Sequence, residues 1–269
     1  MNPNQAERKP SSPDRSGSHA PLGSVTLGVA AMTLLFAGGA ALEARQFFSL
    51  TSATNGDIWW HLRTGLWILQ NHSVPHSGLF SQSADAPWAA MTWGYDLKLA
   101  LAYRMFGLGA IPTMLMAFRW ALAVMTFVLA GGLRNRFWSA LALSAIAEYI
   151  LSTVPPGPSY YSLLLFAVEL LLLRHARESD SVRPLYWLAA VFLVWANLDI
   201  QFVYGIALLA LFLAALWLQG NKPLARRAGL AVGLCVAATV VTPTFGAAGE
   251  LSSPALLGRQ IVICRISTP

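Results

Sequence analysis

The chain has 269 residues, 56% of them apolar and only 11% charged, with a formal net charge of +6 and a mean hydropathy of +0.54. Soluble globular chains carry about 25% charged residues, so the shortfall excludes an ordinary water-exposed domain and points to lipid as the solvent. The surplus of positive charge does not call for nucleic acid either, because the basic residues sit in short clusters between apolar runs, as the positive-inside rule distributes them.

Residues 1–22 are polar and rich in Pro and Ser, with Arg8, Lys9 and Arg15. They bury too little apolar surface to fold and are expected to form a disordered cytoplasmic tail. Residues 23–42 form a first apolar run, long enough to cross a bilayer at about 1.5 Å per residue. No small-x-small cleavage site follows it, which favours a retained signal-anchor over a cleaved signal peptide. A polar stretch over 43–93 holds His61, His72 and His76. Residues 94–108, with Asp96, Lys98 and Arg104, make a poor span and a good interfacial helix. Further apolar runs follow near 111–132, 137–153, 159–173, 185–198, 202–218 and 228–242. Residues 251–269 form a tail that ends abruptly, as in a truncated chain. Cys235 lies in an apolar run and Cys264 in the tail, and the two form no metal or redox motif.

Charge sets the expected topology. With 94–108 lying in the interface and the N-terminus cytoplasmic, the inner segments are 1–22, 133–136, 174–184 and 219–227. They hold eleven of the 18 basic residues. Were 94–108 a span, the later basic loops would fall outside. The expected fold is an all-α polytopic bundle of about seven spans, with interfacial helices in the first external loop. Four polar points then gather on the outer face: Asp57–His61, the Pro155–Ser162 turn, Asn197–Gln201 and Thr242–Phe245.

The segment from Asp57 to Leu69 is amphipathic at helical spacing. Ile58, Leu62, Leu66 and Leu69 share one face, while Asp57, His61 and Thr64 share another. Trp59, Trp60 and Trp67 suit the headgroup zone. Asp57 has two readings: an N-terminal cap accepting a backbone N–H, or a general base or metal ligand beside a partly dry cavity. His72 and His76 have the spacing of a metal pair, but Pro75 between them and the lack of a third ligand favour a solvated loop. Arg119 and Glu148 are charges inside apolar runs, and either they pair with one another or Arg119 receives a phosphate. Glu169, near the inner end of its run, is expected to snorkel.

The residues Asp-Ile-Trp-Trp-His-Leu-Arg-Thr-Gly at 57–65, with Pro87, Trp88 and Trp93 and then Trp195-Ala-Asn-Leu before Phe202 and Gly205, resemble the bacterial multi-pass C-type glycosyltransferase superfamily. The resemblance covers about 23–250, one transmembrane domain. It implies a donor sugar carried on a polyprenyl phosphate, transferred to an acceptor hydroxyl on the non-cytoplasmic side of the bacterial inner membrane. A divalent metal is left open as a cofactor. The resemblance makes Asp57 the catalytic carboxylate, with His61 orienting it or binding phosphate, and Arg119, Trp60, Asn197 and Asp199 as substrate contacts. Departures from the family pattern are Asn55 and Thr92 where acids are expected, Gly157 where Arg is expected, and Asp199 in place of His. They imply the alternative of a degenerate or partner protein that binds lipid-linked sugar without turning it over. A transporter would show repeated halves or broken spans, and the sequence offers no internal repeat.

Overall fold

The computed structural model describes residues 22–48, 56–77, 88 and 90–241. The expected N-terminal tail (Leu22 apart), Asn55, Pro87, the Thr242–Phe245 point and the 251–269 tail therefore lie outside the described residues.

The described chain is helical. In chain order the helices are α1 (Leu22–Phe48), α2 (Gly56–Asn71), α3 (Trp93–Phe106), α4 (Ala110–Leu129), α5 (Phe137–Leu151), α6 (Ser159–Glu178), α7 (Arg183–Leu198), α8 (Phe202–Leu218) and α9 (Lys222–Val240). Local chemistry sets several starts. Pro184 and Pro223 occupy the first turns of α7 and α9, where the missing N–H is not needed and the fixed φ suits a helix. Asn221 caps α9, its Oδ1 accepting from Leu224 N at 3.3 Å; such a cap satisfies one of the orphan N–H groups of the first turn.

Three stretches are long and apolar enough to cross a membrane: Trp93–Leu129, α6 and α9. The shorter apolar helices are Thr26–Leu42 within α1, α5 and α8. All seven expected runs are helical, but by length and composition these three qualify as spans. The first is interrupted. Gly107 adopts a φ of +60°, a left-handed conformation that glycine takes without steric cost. It ends α3, and a single 3-10 turn over Gly107–Gly109 leads into α4. The segment expected to be interfacial is thus a separate helix, with Tyr95, Asp96, Leu99 and Ala100 buried and Lys98, Arg104, Met105 and Phe106 exposed.

The helices pack through apolar side chains and a few polar ties. Leu173, Leu188, Phe192, Trp195, Leu209 and Ala228 form the core shared by α6, α7, α8 and α9. Ser144 Oγ of α5 donates to the Ala123 carbonyl of α4 at 3.0 Å, and Trp120 Nε1 donates to the Phe36 carbonyl of α1 at 3.2 Å. Glu169 does not snorkel. It is 0% exposed, neither of its carboxyl oxygens has a partner among the described residues, and a Cβ on Gly205 would come within 2.7 Å of Oε2. Snorkelling needs a free path along the helix surface, and α7 and α8 close that path with Phe192, Trp195 and Gly205.

The turn between α5 and α6 is pinned by Tyr160, whose hydroxyl lies 2.7 Å from the Leu151 carbonyl and 3.0 Å from that of Val154. Tyr160→Phe removes the donor, and a net hydrogen bond contributes about 0.5–1.5 kcal/mol. Thermal unfolding in detergent is expected to show a lower midpoint for this variant at unchanged helix content. An unchanged midpoint would mean that the turn holds without the hydroxyl.

Candidate functional site

α2 lies against α3, and both cover one end of the bundle, where α4 and α6 begin and α7 ends. The covering is apolar. Ile58, Leu62, Tyr95, Leu99, Tyr161 and Leu198 form one buried cluster, with Leu66 and Leu69 packed against it. Of the face assigned by spacing, Ile58 and Leu62 are buried and Leu66 and Leu69 partly so. Thr64, assigned with Asp57 and His61 to the other face, is buried too, because α3 covers both His61 and Thr64. Two glycines let the backbones meet. A Cβ at Gly65 would overlap the Asp96 carbonyl, and one at Gly94 would come within 2.5 Å of the Asn197 carbonyl. Gly65 closes the 57–65 segment, and α2 can approach α3 this closely because it has no side chain there.

This approach pairs His61 with Asp96. Nδ1 of His61 and Oδ1 of Asp96 are 2.6 Å apart, across 35 residues of sequence. Asp96 is 1% exposed, and Thr92 Oγ1 stands 3.4 Å from the same oxygen. The His61 ring meets Tyr95 edge to face at 5.0 Å, and Tyr95 meets Tyr161 in the same way at 5.8 Å. An ionised Asp96 accepts the proton of Nδ1–H and so fixes the tautomer in which Nε2 carries the lone pair. Nε2 makes no hydrogen bond among the described residues, and the His61 side chain keeps 17% of its surface exposed. The arrangement is an imidazole oriented by a buried carboxylate, with one nitrogen turned to its surroundings.

The other predicted residues divide. Asp57 is exposed in the first turn of α2, one turn before His61. The carboxylate that His61 bonds is Asp96, not Asp57. Trp60 is 40% exposed and meets Trp88 edge to face at 6.3 Å. Asn197 serves as a tie, its Oδ1 accepting from Trp93 Nε1 at 3.1 Å and its Nδ2 donating to the Leu193 carbonyl at 2.7 Å. Asp199 is buried and accepts from Ser162 Oγ at 2.6 Å, and that oxygen accepts from Trp195 Nε1 at 2.7 Å. Arg119 is buried on α4, but neither His61 nor Asp96 bonds it. Glu148, its expected partner, is buried on the adjacent α5. His72 and His76 are exposed.

Three of the four polar points that topology gathers are thus brought to one end: α2, the 155–162 turn and the 197–201 turn. Between them a crevice of ≈ 20 Å³, lined by Ile58, Tyr95, Met114, Phe118, Pro156 and Tyr160 among others, is large enough for about one water. Among the described residues no group of three His, Cys, Asp or Glu is placed to hold a metal ion. A divalent cofactor finds no such ligand set among these residues.

Sequence reading missed Asp96 as a site residue. Its signal was present. Thr92, Asp96, Leu99, Ala100 and Tyr103 recur at helical spacing, and Asp96 is the one charge in that stripe. A charge placed on a packing face usually has a partner. Compared with known proteins, the chain matches no family model, no curated protein and no solved structure.

The α2–α3 approach can be tested apart from any activity. In Gly65→Ala the new methyl has to displace backbone, a form of overpacking that costs about 1–3 kcal/mol. The variant is expected to unfold at lower temperature in detergent and to expose Asp96. A native-like midpoint would mean that α2 and α3 can separate without cost.

Proposed function

We propose that the chain is a polytopic membrane protein of the bacterial inner membrane that transfers a sugar from a polyprenyl-phosphate donor to an acceptor hydroxyl on the non-cytoplasmic side. The observation that carries this reading is the His61–Asp96 pair, at the end of the bundle that holds the 57–65 segment. In the transfer, the acceptor hydroxyl gives its proton to Nε2 of His61 as its oxygen bonds the anomeric carbon. The bond from that carbon to the phosphate oxygen breaks, and its electron pair leaves with the polyprenyl phosphate. Asp96 stabilises the imidazolium that forms, as the buried carboxylate of a triad does. Asp57, one turn away on the open face of α2, is the second carboxylate available to the acceptor. Trp60 offers an aromatic face for the sugar. Arg119 lies one turn beyond the crevice-lining Leu115 and is the candidate cation for the leaving phosphate. Lys98, 4.7 Å over the Tyr161 ring, is a second cation on the outer surface of α3.

The topology of this reading has seven spans, α1 and α4 to α9, with a cytoplasmic N-terminus and with α2 and α3 in the outer interface. The shorter helices cross by tilting or by thinning the bilayer. A second reading, binding of lipid-linked sugar without transfer, has its own support. Asn197 and Asp199, both substrate contacts in the resemblance, have side-chain bonds inside the protein.

The transfer assay uses purified full chain in detergent with a panel of labelled polyprenyl-phosphate sugars. Loss of a positioned base costs about 10²–10⁴-fold in rate. Asp96→Asn and His61→Gln are each expected to lose transfer on that scale while donor retention persists. Asp57 lies inside the first turn of α2, which begins at Gly56, and not at its N-cap. Asp57→Asn keeps its size and removes the charge, so a comparable loss assigns it to the chemistry. Near-normal transfer in Asp57→Asn would remove Asp57 from the mechanism. Retention of every donor without turnover by the native chain would select the binding reading.

Topology is tested by single cysteines in a Cys235→Ser, Cys264→Ser background. Positions 72 and 180 are exposed in the turns after α2 and α6. An impermeant thiol reagent is expected to label 72 but not 180 in intact cells. The reverse pattern would invert the protein.

A further inference from the structure

The opposite end of the bundle holds two cavities that the transfer reading does not use. Where α4 ends and α5 begins, Arg134, Asn135, Arg136 and Arg174 help to line a cleft of ≈ 410 Å³. Arg174 is held in place, its Nη1 donating to the Leu129 carbonyl at 3.1 Å and its Nε to Glu178 Oε1 at 3.0 Å. Arg134 reaches the other oxygen of the same carboxylate at 3.1 Å. Two of the three guanidinium groups at the cleft therefore share one carboxylate. Arg136 is exposed, and its side chain has no hydrogen bond or ion pair among the described residues. The next residue, Phe137, lines a groove of ≈ 740 Å³ between α1 and α5, with Leu27, Met32, Phe36 and Trp138.

We propose that the cleft and the groove together bind one phospholipid with a net anionic headgroup. Its phosphate sits at Arg136 and Arg134, and an acyl chain runs along the groove between α1 and α5. The inference rests on charge complementarity and on the junction of the two linings at consecutive residues, 136 and 137. The surplus of positive charge selects an anion, since a basic pocket between helix ends suits an anionic headgroup. The groove selects a long apolar tail. A free phosphate would leave the groove uncovered, and a zwitterionic lipid would leave the guanidinium surplus unbalanced. This ligand is distinct from the proposed sugar donor, whose site is at the other end.

The experiment titrates purified full chain in detergent with phosphatidylglycerol or phosphatidylcholine of identical acyl chains and counts retained lipid by native mass spectrometry. The native chain is expected to retain phosphatidylglycerol at least about fivefold better, the scale of one basic residue near a charged headgroup. Arg136→Gln should abolish most of that preference, and Arg136→Lys should restore it. Thr33→Trp, which fills the groove from a position lining it, should lower retention of both lipids. Should that variant fail to fold, Trp138→Ala tests the same wall. Arg226→Gln with Arg227→Gln removes two exposed charges on α9 and should change nothing. Equal retention of the two lipids by the native chain would overturn the proposal. An Arg226/Arg227 effect as large as that of Arg136→Gln would reduce it to general surface attraction. Displacement by millimolar inorganic phosphate, together with a silent groove variant, would make this a free-anion site and likewise overturn it.

Discussion

The backbone contact of Gly65 on α2 with Asp96 on α3 is the constraint from which this end of the bundle is built. An interfacial helix with no close partner would lie on the membrane and present Asp57, His61 and the tryptophans to water. Brought against α3, the same helix buries Ile58 and Leu62 and carries His61 onto a carboxylate that is itself out of water. Gly94 repeats the device one layer deeper, where the backbone of α3 meets the end of α7. Each glycine trades side-chain packing for proximity, and the proximity sets two polar partnerships: His61 with Asp96, and Trp93 with Asn197.

Burial explains why most polar groups at this end are paired. A buried polar group without a hydrogen bond costs about 1–3 kcal/mol on the mutational scale, and several groups at this end are given a partner, although Thr64 Oγ1 is buried with none among the described residues. Trp195, Ser162 and Asp199 form a short chain of bonds, and Tyr160 closes on the two carbonyls beneath it. The rings of His61, Tyr95, Tyr161 and Phe118 fill the space between the polar pairs edge to face. This edge-to-face geometry suits aromatic quadrupoles. Glu169 departs from the pattern, because its carboxyl is buried among Phe192, Trp195 and Gly205 with no partner among the described residues.

What could be read from sequence follows the range over which each interaction acts. Periodicity is local, so the helices, part of the packing face of α2 and the gathering of three polar points at one end were legible, while the burial of Thr64 was not. The separation of α3 from α4 was also legible in outline, since Asp96, Lys98 and Arg104 argue against a continuous span. Gly107 supplies the actual break. Pairing across 35 residues was not legible, because spacing along α2 suggests Asp57 as the carboxylate nearest His61. The internal ties of Asn197 and Asp199 were hidden for the same reason. Their partners, Trp93 and Ser162, lie on other helices, and only the fold brings them within reach. The length criterion, which three stretches satisfy, also shows what composition alone cannot supply, since a run can be apolar and helical and still be short.

That shortness bears on the proposed chemistry. α7 has 16 residues and α8 has 17, which at the rise of an α-helix gives about 24–26 Å. A hydrocarbon core is about 30 Å thick. If α7 and α8 cross, either the bilayer thins around them or their shared turn, with Asp199 in it, lies below the headgroup plane. The phosphate of a polyprenyl donor is anchored near that plane by its own tail and cannot rise far into water. A site carried on long helices would stand above such a phosphate. In the proposed reading, short helices with α2 and α3 folded over their end would lower His61 and Asp96 toward it. In that reading, access from the aqueous side is limited to groups on the exposed face of α2, Asp57 and Trp60 among them. In the proposed reading the lipid-borne donor therefore approaches through the membrane and the acceptor from water, and His61 stands between them.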